Sequence, residues 1–430
     1  MKKLISFILT AAIISTTVLL LNGCHNSSDK TGSSNIFSDI NKGFVDASFF
    51  ESEKNPDLKI SVDSSELKLI KQQVERFKKH YSDNLNISIT VYDKNDNAED
   101  EYKTSTSDFY FISSGLLHRF SEMLLPIDNE LAEFVKADNV KIMTDDITTD
   151  NKLYTFPVSY DTSYYLTYDK SVVSDKDAQT LESILSACKK SDKQFVMNVE
   201  TGFISSSFTL TGGIIPDGFE YDESEDSQKI KNYDEDEAVK TLMAFSSLMK
   251  KYRGTFVKKD YDSIEQGYKN KTVAAAVSSF FTSNKEQKAL GDNFGVEKLP
   301  TVNVNGTDKQ MISMYGFRYL GIKKETRYPK AAQALAYYLN SEVCQRERMQ
   351  QLGSLPSNLA VQKEAVKNPA MAALLEQSKY SVPMVKISNN YWHSMEGLGT
   401  TLYKDDWNPD DKKATTKLLE ETIKEAKDEY

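Results

Sequence analysis

The residues that most often carry catalysis or hold a metal are few in this chain and form no recognisable motif. Four histidines are present in 430 residues, and none of them begins the H-E-x-x-H pattern of a zinc hydrolase. The sequence also lacks the G-x-S-x-G turn of serine hydrolases and the G-x-x-x-x-G-K phosphate loop. Carboxylate pairs are uninformative because 63 acidic residues allow any pair to be chosen. We therefore predict a protein that is not an enzyme and that needs no metal and no cofactor.

One cysteine does lie in a context with chemical meaning. Two lysines precede the apolar stretch Leu4–Leu21, and Cys24 follows it after Asn22 and Gly23. The stretch is short for a bilayer span, which needs about 20 residues, and a charged segment followed by an apolar one is typical of a secretory signal. Its end resembles a bacterial lipobox, whose cysteine is lipidated. We expect a signal peptide at 1–23 and lipidation at Cys24; an uncleaved N-terminal anchor is the alternative.

The remaining cysteines and the overall charge argue against a disulfide-rich protein, a metal-binding protein and a nucleic-acid-binding protein. Cys188 and Cys344 lack the spacing of a disulfide framework or a metal site, so we expect both to be small apolar residues in helices. A net charge of −10 argues against a nucleic-acid partner, which favours a basic face. A chain of this length with 39% hydrophobic residues predicts two domains or two lobes.

The elements that would position a site begin with a β-α-β unit. Residues 57–63 and 85–93 alternate between apolar and polar, and 66–83 place apolar residues at helical spacing. This order predicts a parallel pair of strands, and continued alternation of strands and helices predicts the α/β class. Residues 24–56 are rich in Ser, Asn, Asp and Gly, which predicts a flexible tether. Further strands are expected at 107–114, 151–173, 194–200, 294–300 and 314–322, and helices at 235–252 and 328–353.

Five segments, spread over 57–400, together carry a family resemblance. They have the Pro-containing strand followed by Leu-x-Tyr-Asp-Lys, a Leu-x-Pro-Ile-Asp end, a Lys-x-x-Ala strand, a Leu-Pro pair, and a Pro-x-x-Ala helix followed by Gly-x-x-Pro. In their order along the chain they resemble the extracellular solute-binding proteins of ABC sugar importers, family 1, the group that includes the maltose-binding proteins. The segments are 151–173, 107–128, 268–284, 294–306 and 328–358.

The resemblance implies a two-lobed periplasmic-binding-protein-like fold of type II. Residues 57–159 with 313–365 would form lobe 1, and 160–312 with 366–430 would form lobe 2. The ligand would bind between the lobes, and a hinge would close on it. The implied partners are a sugar and the subunits of an ABC permease. We expect a monomer, held by the lipid on Cys24 at the outer face of a cell membrane of the Gram-positive type.

Sugar recognition combines aromatic side chains, which stack on the C–H faces of pyranose rings, with planar polar groups for the hydroxyls. In α/β proteins such groups lie in loops at the carboxyl ends of strands. Asp161, Glu200, Phe203, Phe280, Phe281 and Trp392 match or lie near ligand contacts of the family, whereas Ser113 and Ser114 replace its aromatic and acidic contacts. A helix N-cap is the alternative for Glu66, and core packing for Trp392. The full candidate set is Ser64, Glu66, Ser113, Ser114, Tyr160, Asp161, Glu200, Phe203, Phe280, Phe281, Tyr315, Gly316, Phe317 and Trp392.

The concentration of aromatic residues in this set favours an oligosaccharide over an amino acid or an ion. The sequence therefore predicts a lipid-anchored extracytoplasmic protein that captures a carbohydrate and delivers it to an ABC transporter. Two alternatives stay open. The same fold could bind another solute, such as a polyamine or glycerol phosphate, or it could serve a surface sensor lipoprotein.

Overall fold

The computed structural model describes residues 43–81, 85–91, 105–145, 148–149, 152–218 and 227–427, without the side chains of Ser121, Asp161 and 148–149. The strands are β1 Asp57–Val62, β2 Asn86–Val91, β3 Phe109–Ser113, β4 Thr148–Thr149, β5 Lys152–Leu153, β6 Thr155–Thr162, β7 Tyr164–Asp169, β8 Gln194–Val196, β9 Phe256–Val257, β10 Val273–Ser279, β11 Phe294–Glu297, β12 Thr301–Val304, β13 Thr307–Gln310, β14 Ser313–Ile322 and β15 Ser381–Pro383. The α-helices are α1 Leu67–Tyr81, α2 Leu117–Phe120, α3 Asn129–Asp138, α4 Lys141–Asp145, α5 Leu181–Lys190, α6 Gly202–Thr211, α7 Glu235–Lys251, α8 Tyr261–Lys269, α9 Ser283–Leu290, α10 Pro329–Asn340, α11 Glu342–Leu352, α12 Leu359–Ala365, α13 Pro369–Ser378, α14 Asn389–Leu402 and α15 Lys412–Ala426.

The first sheet grows from the β-α-β unit that the sequence predicts. Leu58, Ile60 and Val62 alternate along β1 and are fully buried, and β1 pairs with β2 in parallel from the Asp57–Asn86 pair onward. The strand order is β2-β1-β3-β14, and both β6 and β15 also pair with β14. The predicted parallel pair and the α/β class are therefore confirmed. We call this sheet, with the helices packed on it, lobe 1.

The second sheet has the order β11-β7-β10-β8-β9. Its central strand β10 reads Val-Ala-Ala-Ala-Val-Ser-Ser, and all seven residues are buried. Such a continuous small and apolar run is typical of a strand covered on both faces. A separate hydrophobic core surrounds this sheet, with helices α5, α6, α7, α14 and α15 contributing to it. We call this second unit lobe 2.

The chain passes between the two sheets at β6 to β7 and again at β13 to β14. β14 is buried along almost its whole length, and it pairs antiparallel with β6 and β3. After α13 the chain returns to this strand, because Ser381 of β15 pairs in parallel with Ser313. β14 is therefore the strand at which the crossing segments of the chain meet.

The segment just before β1 differs from the predicted tether. Phe44, Phe49 and Phe50 are buried, and the Phe44 ring stacks on His80 with centroids 3.8 Å apart. The Glu53 carboxylate accepts hydrogen bonds from the first backbone N–H groups of α10 at 2.9 and 2.8 Å. The tether prediction is wrong for 43–56, because three phenylalanines supply a lobe-1 contact that the polar composition conceals. Residues 1–42, with the predicted signal peptide and Cys24, lie outside the described part of the chain.

The two later cysteines take the predicted role. Cys188 lies in α5 and Cys344 in α11, and both are buried and free. Burial raises the pKa of the Cys188 thiol to about 12 and that of Cys344 to about 11, so both thiols stay protonated at neutral pH. Within the described ranges, every helix is too short or too polar to cross a lipid bilayer.

The packing of Phe44 predicts that the segment before β1 contributes to stability. We expect Phe44→Ala to lower the free energy of unfolding by about 3 kcal/mol, because a buried ring is replaced by a cavity. Urea unfolding at equilibrium measures the change. Phe281→Ala is the matched control, since Phe281 is 66% exposed and its loss should cost about 0.5 kcal/mol or less. Equal stability of the Phe44 variant and the wild type would show that this segment does not hold to lobe 1.

Candidate functional site

Two cavities lie in the cleft between the lobes, and each has walls from both. The first, the Arg318 cavity, has a volume of about 210 Å³. The second, the Trp392 cavity, has a volume of about 330 Å³. The Arg318 cavity is lined by Ser65, Glu66, Phe280, Phe281, Ser283, Asn284, Arg318, Leu352, Gly353, Ser354, Asn368 and Met371. The Trp392 cavity is lined by Gly115, Leu116, Arg119, Thr162, Phe203, Met384, Ile387, Asn389 and Trp392.

The lobe-1 wall of the Arg318 cavity is a buried ionic cluster. Glu66 follows the turn after β1, and its Oε1 accepts a hydrogen bond from Arg318 Nη1 of β14 at 2.6 Å. Arg348 of α11 donates to the same oxygen. The Arg318 guanidinium also lies over the Phe111 ring, 4.8 Å from its centroid. Its orientation is therefore fixed from two directions, and Glu66 is more than a helix cap.

The lobe-2 wall of the Arg318 cavity comes from the end of β10. Phe280 and Phe281 occupy a single turn of 3₁₀-helix directly after that strand. Phe280 is buried and meets Tyr165 edge to face at 6.4 Å, whereas Phe281 is 66% exposed. The pair thus presents one ring fixed by the core and one ring free to contact a ligand.

A buried carboxyl supports this wall from behind. Glu286 of α9 is fully buried, and its Oε1 accepts hydrogen bonds from Ser278 and, at 2.8 Å, from Thr282. Burial raises the pKa of Glu286, and its hydroxyl donors oppose that rise. The carboxyl therefore links the end of β10 to α9, the two elements that flank Phe280 and Phe281.

The Trp392 cavity has an aromatic wall in lobe 2. Trp392 of α14 meets Phe203 of α6 edge to face at 6.2 Å, and Phe203 meets Tyr164 at 4.9 Å. Gly202 permits this arrangement, since a Cβ atom there would lie 2.2 Å from the Trp392 carbonyl oxygen. Trp392 and Phe203 are only partly buried, so their rings are available to a ligand. Across the cavity lie Arg119 and the backbone of Gly115 in lobe 1.

Three of the predicted aromatic contacts pack against each other instead of lining either cavity. Tyr160, Tyr315 and Phe317 have ring centroids 4.9 to 5.3 Å apart, and all three are buried. Burial raises the pKa of the Tyr160 phenol. These rings cover the crossing strands β6 and β14, which must be shielded on both faces. Gly316 beside them allows close packing, since its Cβ would lie 2.7 Å from Met384 Cε.

Ser64, Ser113, Ser114 and Glu200 also lie outside the linings of the two cavities. Ser64 and Ser113 are exposed, and Glu200 pairs with Lys258 on the surface of lobe 2. Ser114 is buried, and its Oγ accepts a hydrogen bond from the backbone N–H of Phe317 at 3.1 Å, so it joins β3 to β14. The side chain of Asp161, in β6, falls outside the described residues.

Of the residues predicted from the sequence, the two cavities are lined by Glu66, Phe203, Phe280, Phe281 and Trp392, together with several polar residues that were not predicted. Arg318 stood beside a predicted contact, and its charge alone could have drawn attention to it. Arg348 had no local signal, because it reaches Glu66 from a helix 282 positions later in the chain. The missed polar lining residues are Arg119, Thr162, Ser283, Asn284, Ser354, Asn368 and Asn389.

Two sheets joined by crossing strands, with a cleft of aromatic and polar residues between them, define a two-lobed solute-binding protein. The sequence profile of the family "Bacterial extracellular solute-binding protein" matches residues 72–373. Because the match spans more than half of the chain, the protein belongs to this family, which confirms the predicted resemblance. No curated protein sequence matches the chain.

Solved structures of maltodextrin-binding proteins share the fold. The unliganded maltodextrin binding protein MalE1 from L. casei BL23 is 19% identical, with a TM-score of 0.73 over 86% of this chain and 98% of that one. A cyclo/maltodextrin-binding protein in complex with maltotetraose is 18% identical, with a TM-score of 0.68 over 88% and 98%. MalE from Listeria monocytogenes in complex with maltose is 17% identical, with a TM-score of 0.67 over 87% and 98%. The predicted two-lobed fold is confirmed by these likenesses.

The ionic cluster predicts a large cost for removing the carboxylate of Glu66. We expect Glu66→Gln to lower the free energy of unfolding by about 3 kcal/mol, because the buried Arg348 and the partly exposed Arg318 both lose an ion pair with this carboxylate. Urea unfolding measures the loss. Glu364→Gln, which breaks an exposed pair with Arg346, is the matched control and should cost much less. A Glu66 variant as stable as this control would show that the cluster carries no net stabilisation.

The raised pKa of Glu286 predicts a dependence of stability on pH. The folded state binds this proton more tightly than the unfolded chain, so its stabilising contribution is complete below the unfolded pKa of about 4.3 and is lost as the pH rises through the folded pKa. Glu286→Gln should therefore gain stability relative to the wild type between about pH 4 and about pH 7.5.

Unfolding in urea at the two pH values measures this change for Glu286→Gln and for a matched control. Glu265→Gln is the control of opposite sign, because Lys269 lowers the pKa of the Glu265 carboxyl. Its stability relative to the wild type should fall over the same range. A constant difference between the Glu286 variant and the wild type would contradict a raised pKa in the folded protein.

Proposed function

We propose that this protein is a lipid-anchored extracytoplasmic binding protein that captures an oligosaccharide and delivers it to an ABC permease. The observation that carries the proposal is the Trp392 cavity. There the partly buried rings of Trp392 and Phe203 in lobe 2 face the polar side chain of Arg119 in lobe 1. Aromatic faces and planar polar groups opposed across a cleft are the combination that a pyranose ring requires.

The two lobes contribute different kinds of side chain to the cavities, which supports this proposal. Lobe 2 contributes Phe203, Phe280, Phe281 and Trp392 to the two cavities, whereas the described charged residues that line them belong to lobe 1. A sugar bound to one wall alone would leave its other face in water. Closure of the two lobes on the ligand would complete the site, which is the hinge motion of two-lobed binding proteins.

The fold relatives point toward the same class of ligand. Two of the solved structures described above are complexes with maltose and with maltotetraose. Their identity to this chain is below 20%, so they support a carbohydrate without specifying which one. The Arg318 cavity adds Asn284, Ser354 and Asn368, whose amide and hydroxyl groups suit sugar hydroxyls.

Delivery to a permease and attachment to the membrane rest on the family and on the N-terminal sequence. The chain contains no phosphate loop, so a separate ATPase would supply the energy for transport. A diacylated Cys24 would bury many CH₂ groups at about 0.8 kcal/mol each, which is enough to hold the protein at a membrane surface. We propose a monomer at the outer face of a Gram-positive cell membrane.

A panel of ligands screened by thermal shift tests the proposed function. Malto-, xylo-, manno- and galacto-oligosaccharides are compared with polyamines and glycerol phosphate. A bound ligand at about 100 times its dissociation constant adds about 2.7 kcal/mol to the free energy of unfolding. We expect at least one oligosaccharide to raise the melting temperature, and Trp392→Ala to weaken its binding about tenfold or more through lost stacking.

The second tryptophan provides the control. Trp407 lines neither of the two described cavities, so Trp407→Ala should lower stability and leave the sugar affinity within about threefold of the wild type. Stabilisation by a polyamine or glycerol phosphate alone would refute the carbohydrate proposal and leave the fold assignment unaffected. Equal loss of affinity in both tryptophan variants would refute the stacking role of Trp392.

A further inference from the structure

Four of the twelve residues that line the Arg318 cavity come from one short segment of lobe 2. They are Phe280, Phe281, Ser283 and Asn284, which follow directly after β10. Their backbone forms a single turn of 3₁₀-helix and then enters α9. We call residues 279–284 the binding turn. Its position decides where a third of the residues that line the cavity lie.

Thr282 lies at the centre of the contacts that hold the binding turn. Its Oγ1 is 2.9 Å from the carbonyl oxygen of Ser279, 2.9 Å from Ser278 Oγ and 2.8 Å from Glu286 Oε1. A hydroxyl has one hydrogen to donate, so Thr282 can make a full hydrogen bond as donor to only one of these three oxygens at a time. Ser278 also has one hydrogen, and its Oγ contacts Glu286 Oε1 as well.

The protonation state of Glu286 decides how these contacts are bonded. When the carboxyl is protonated, its hydrogen can bond to Thr282 Oγ1, which leaves the Thr282 hydrogen for the Ser279 carbonyl. When the carboxyl is ionised, it is a strong acceptor with no hydrogen of its own, and it draws the Thr282 hydrogen to itself. The Ser279 carbonyl then loses this donor. The binding turn therefore keeps its internal bond from Thr282 only while Glu286 holds a proton.

The surroundings of Glu286 favour the protonated form. The side chain is fully buried, and its Oε2 accepts no hydrogen bond from the described residues. Burial raises the pKa of Glu286 most strongly, neighbouring hydroxyls oppose the rise, and the like charge of Glu265 adds to it. An ionised Glu286 would leave a charged oxygen buried without a donor, which is costly. Lys285, next to it in α9, is exposed. The titratable groups that face Glu286 from the elements around it are Tyr165 of β7 and Tyr261, Glu265 and Tyr268 of α8.

We propose that Glu286 is a positioning residue for the ligand: its protonated carboxyl keeps the binding turn in place, and its ionisation loosens the turn. The released proton passes to solvent, and the Thr282 hydroxyl turns from the Ser279 carbonyl to the carboxylate. The fraction of the protein that can bind through the Arg318 cavity then falls as the pH rises, and the apparent affinity falls with that fraction. This inference rests on the proposed carbohydrate function and adds a control of the affinity by pH.

Hydrogen exchange of the binding turn, followed by mass spectrometry of the full chain, tests the inference without any ligand. The wild type and Glu286→Gln are compared from about pH 4 to about pH 7.5. Each comparison is made at one pH, so that the intrinsic effect of pH on exchange cancels. Glutamine carries amide hydrogens throughout this range and can donate to Thr282 as the protonated acid does. We expect equal exchange at low pH and exchange about threefold or more faster in the wild type at high pH, because local opening sets the rate.

Glu421→Gln is the matched control for the loss of a charge. Glu421 is an exposed carboxylate of α15 in the same lobe, where it pairs with Lys417, so this variant should exchange like the wild type at every pH. Ser278→Ala supplies a second and independent test. Loss of a donor to the carboxylate raises the pKa of Glu286 further, so the onset of faster exchange should move to higher pH. That shift decides the inference if Glu286→Gln does not fold.

Isothermal titration calorimetry with maltotetraose tests the link from the binding turn to the ligand. We expect the affinity of Glu286→Gln, divided by that of the wild type at the same pH, to rise about threefold or more from low to high pH. Comparison at the same pH cancels the titration of histidines, which both proteins share. A purely structural effect of the substitution would change the affinity by the same factor at every pH.

The outcomes separate this inference from the proposed function. Equal exchange of the binding turn in the wild type and Glu286→Gln at high pH overturns the inference. A ratio of maltotetraose affinities that stays constant with pH also overturns it, because the turn would then not position the ligand. Absence of maltotetraose binding in the wild type at low and high pH counts against the proposed function, while the exchange data still confirm or overturn the role of Glu286 in the turn.

Discussion

The pairing of β14 with strands on both of its sides is the constraint on which the rest of the structure depends. This strand runs from Ser313 to Ile322 and pairs with β3, β6 and β15. This strand lies at the boundary of the lobes, so other side chains must cover both of its faces. The polar groups beside it must also form hydrogen bonds. Ser163 Oγ, for example, donates to the Met314 carbonyl at 2.7 Å.

That constraint explains why some of the aromatic residues pack on the crossing strands and others line the cavities. Tyr160, Tyr315 and Phe317 lie on the crossing strands and pack against one another. The rings that remain partly exposed come from lobe 2, at the ends of β10 and at the starts of α6 and α14. Arg318 lies on β14 itself, so the charged cluster is positioned by the same strand that joins the lobes. A ligand in the cleft would contact groups whose positions depend on that strand.

The sequence predicted the class of fold because its signals are local. The alternation in β1, the helical stripe of α1 and the turn at Gly353, whose φ is 74°, are each complete within a few residues. It also located Glu66, Phe280 and Trp392 at the cleft, since the ends of strands and the family resemblance both point there. The orientation of Tyr160 and Tyr315 could not be predicted, because alternation says which residues share a face and not what covers that face.

Two further differences have the same origin in long-range packing. The pairing of Glu66 with Arg348 joins positions 282 residues apart, and no local sequence pattern predicts it. The segment at 43–56 reads as a polar linker until Phe44, Phe49 and Phe50 are seen against α1 and α10. Composition averages over such a segment, whereas packing depends on a few large side chains within it.

The most direct test of the central claim, that a carbohydrate binds in this cleft, is a fluorescence titration of the Trp407→Phe protein. The chain has two tryptophans, so this variant leaves Trp392 as its single indole reporter. The account predicts a saturable change in Trp392 emission as an oligosaccharide is added. Its midpoint should agree with the dissociation constant of the same oligosaccharide measured by isothermal titration calorimetry. Calorimetric binding of sugar with unchanged Trp392 emission, or a saturable change with a polyamine alone, would contradict it.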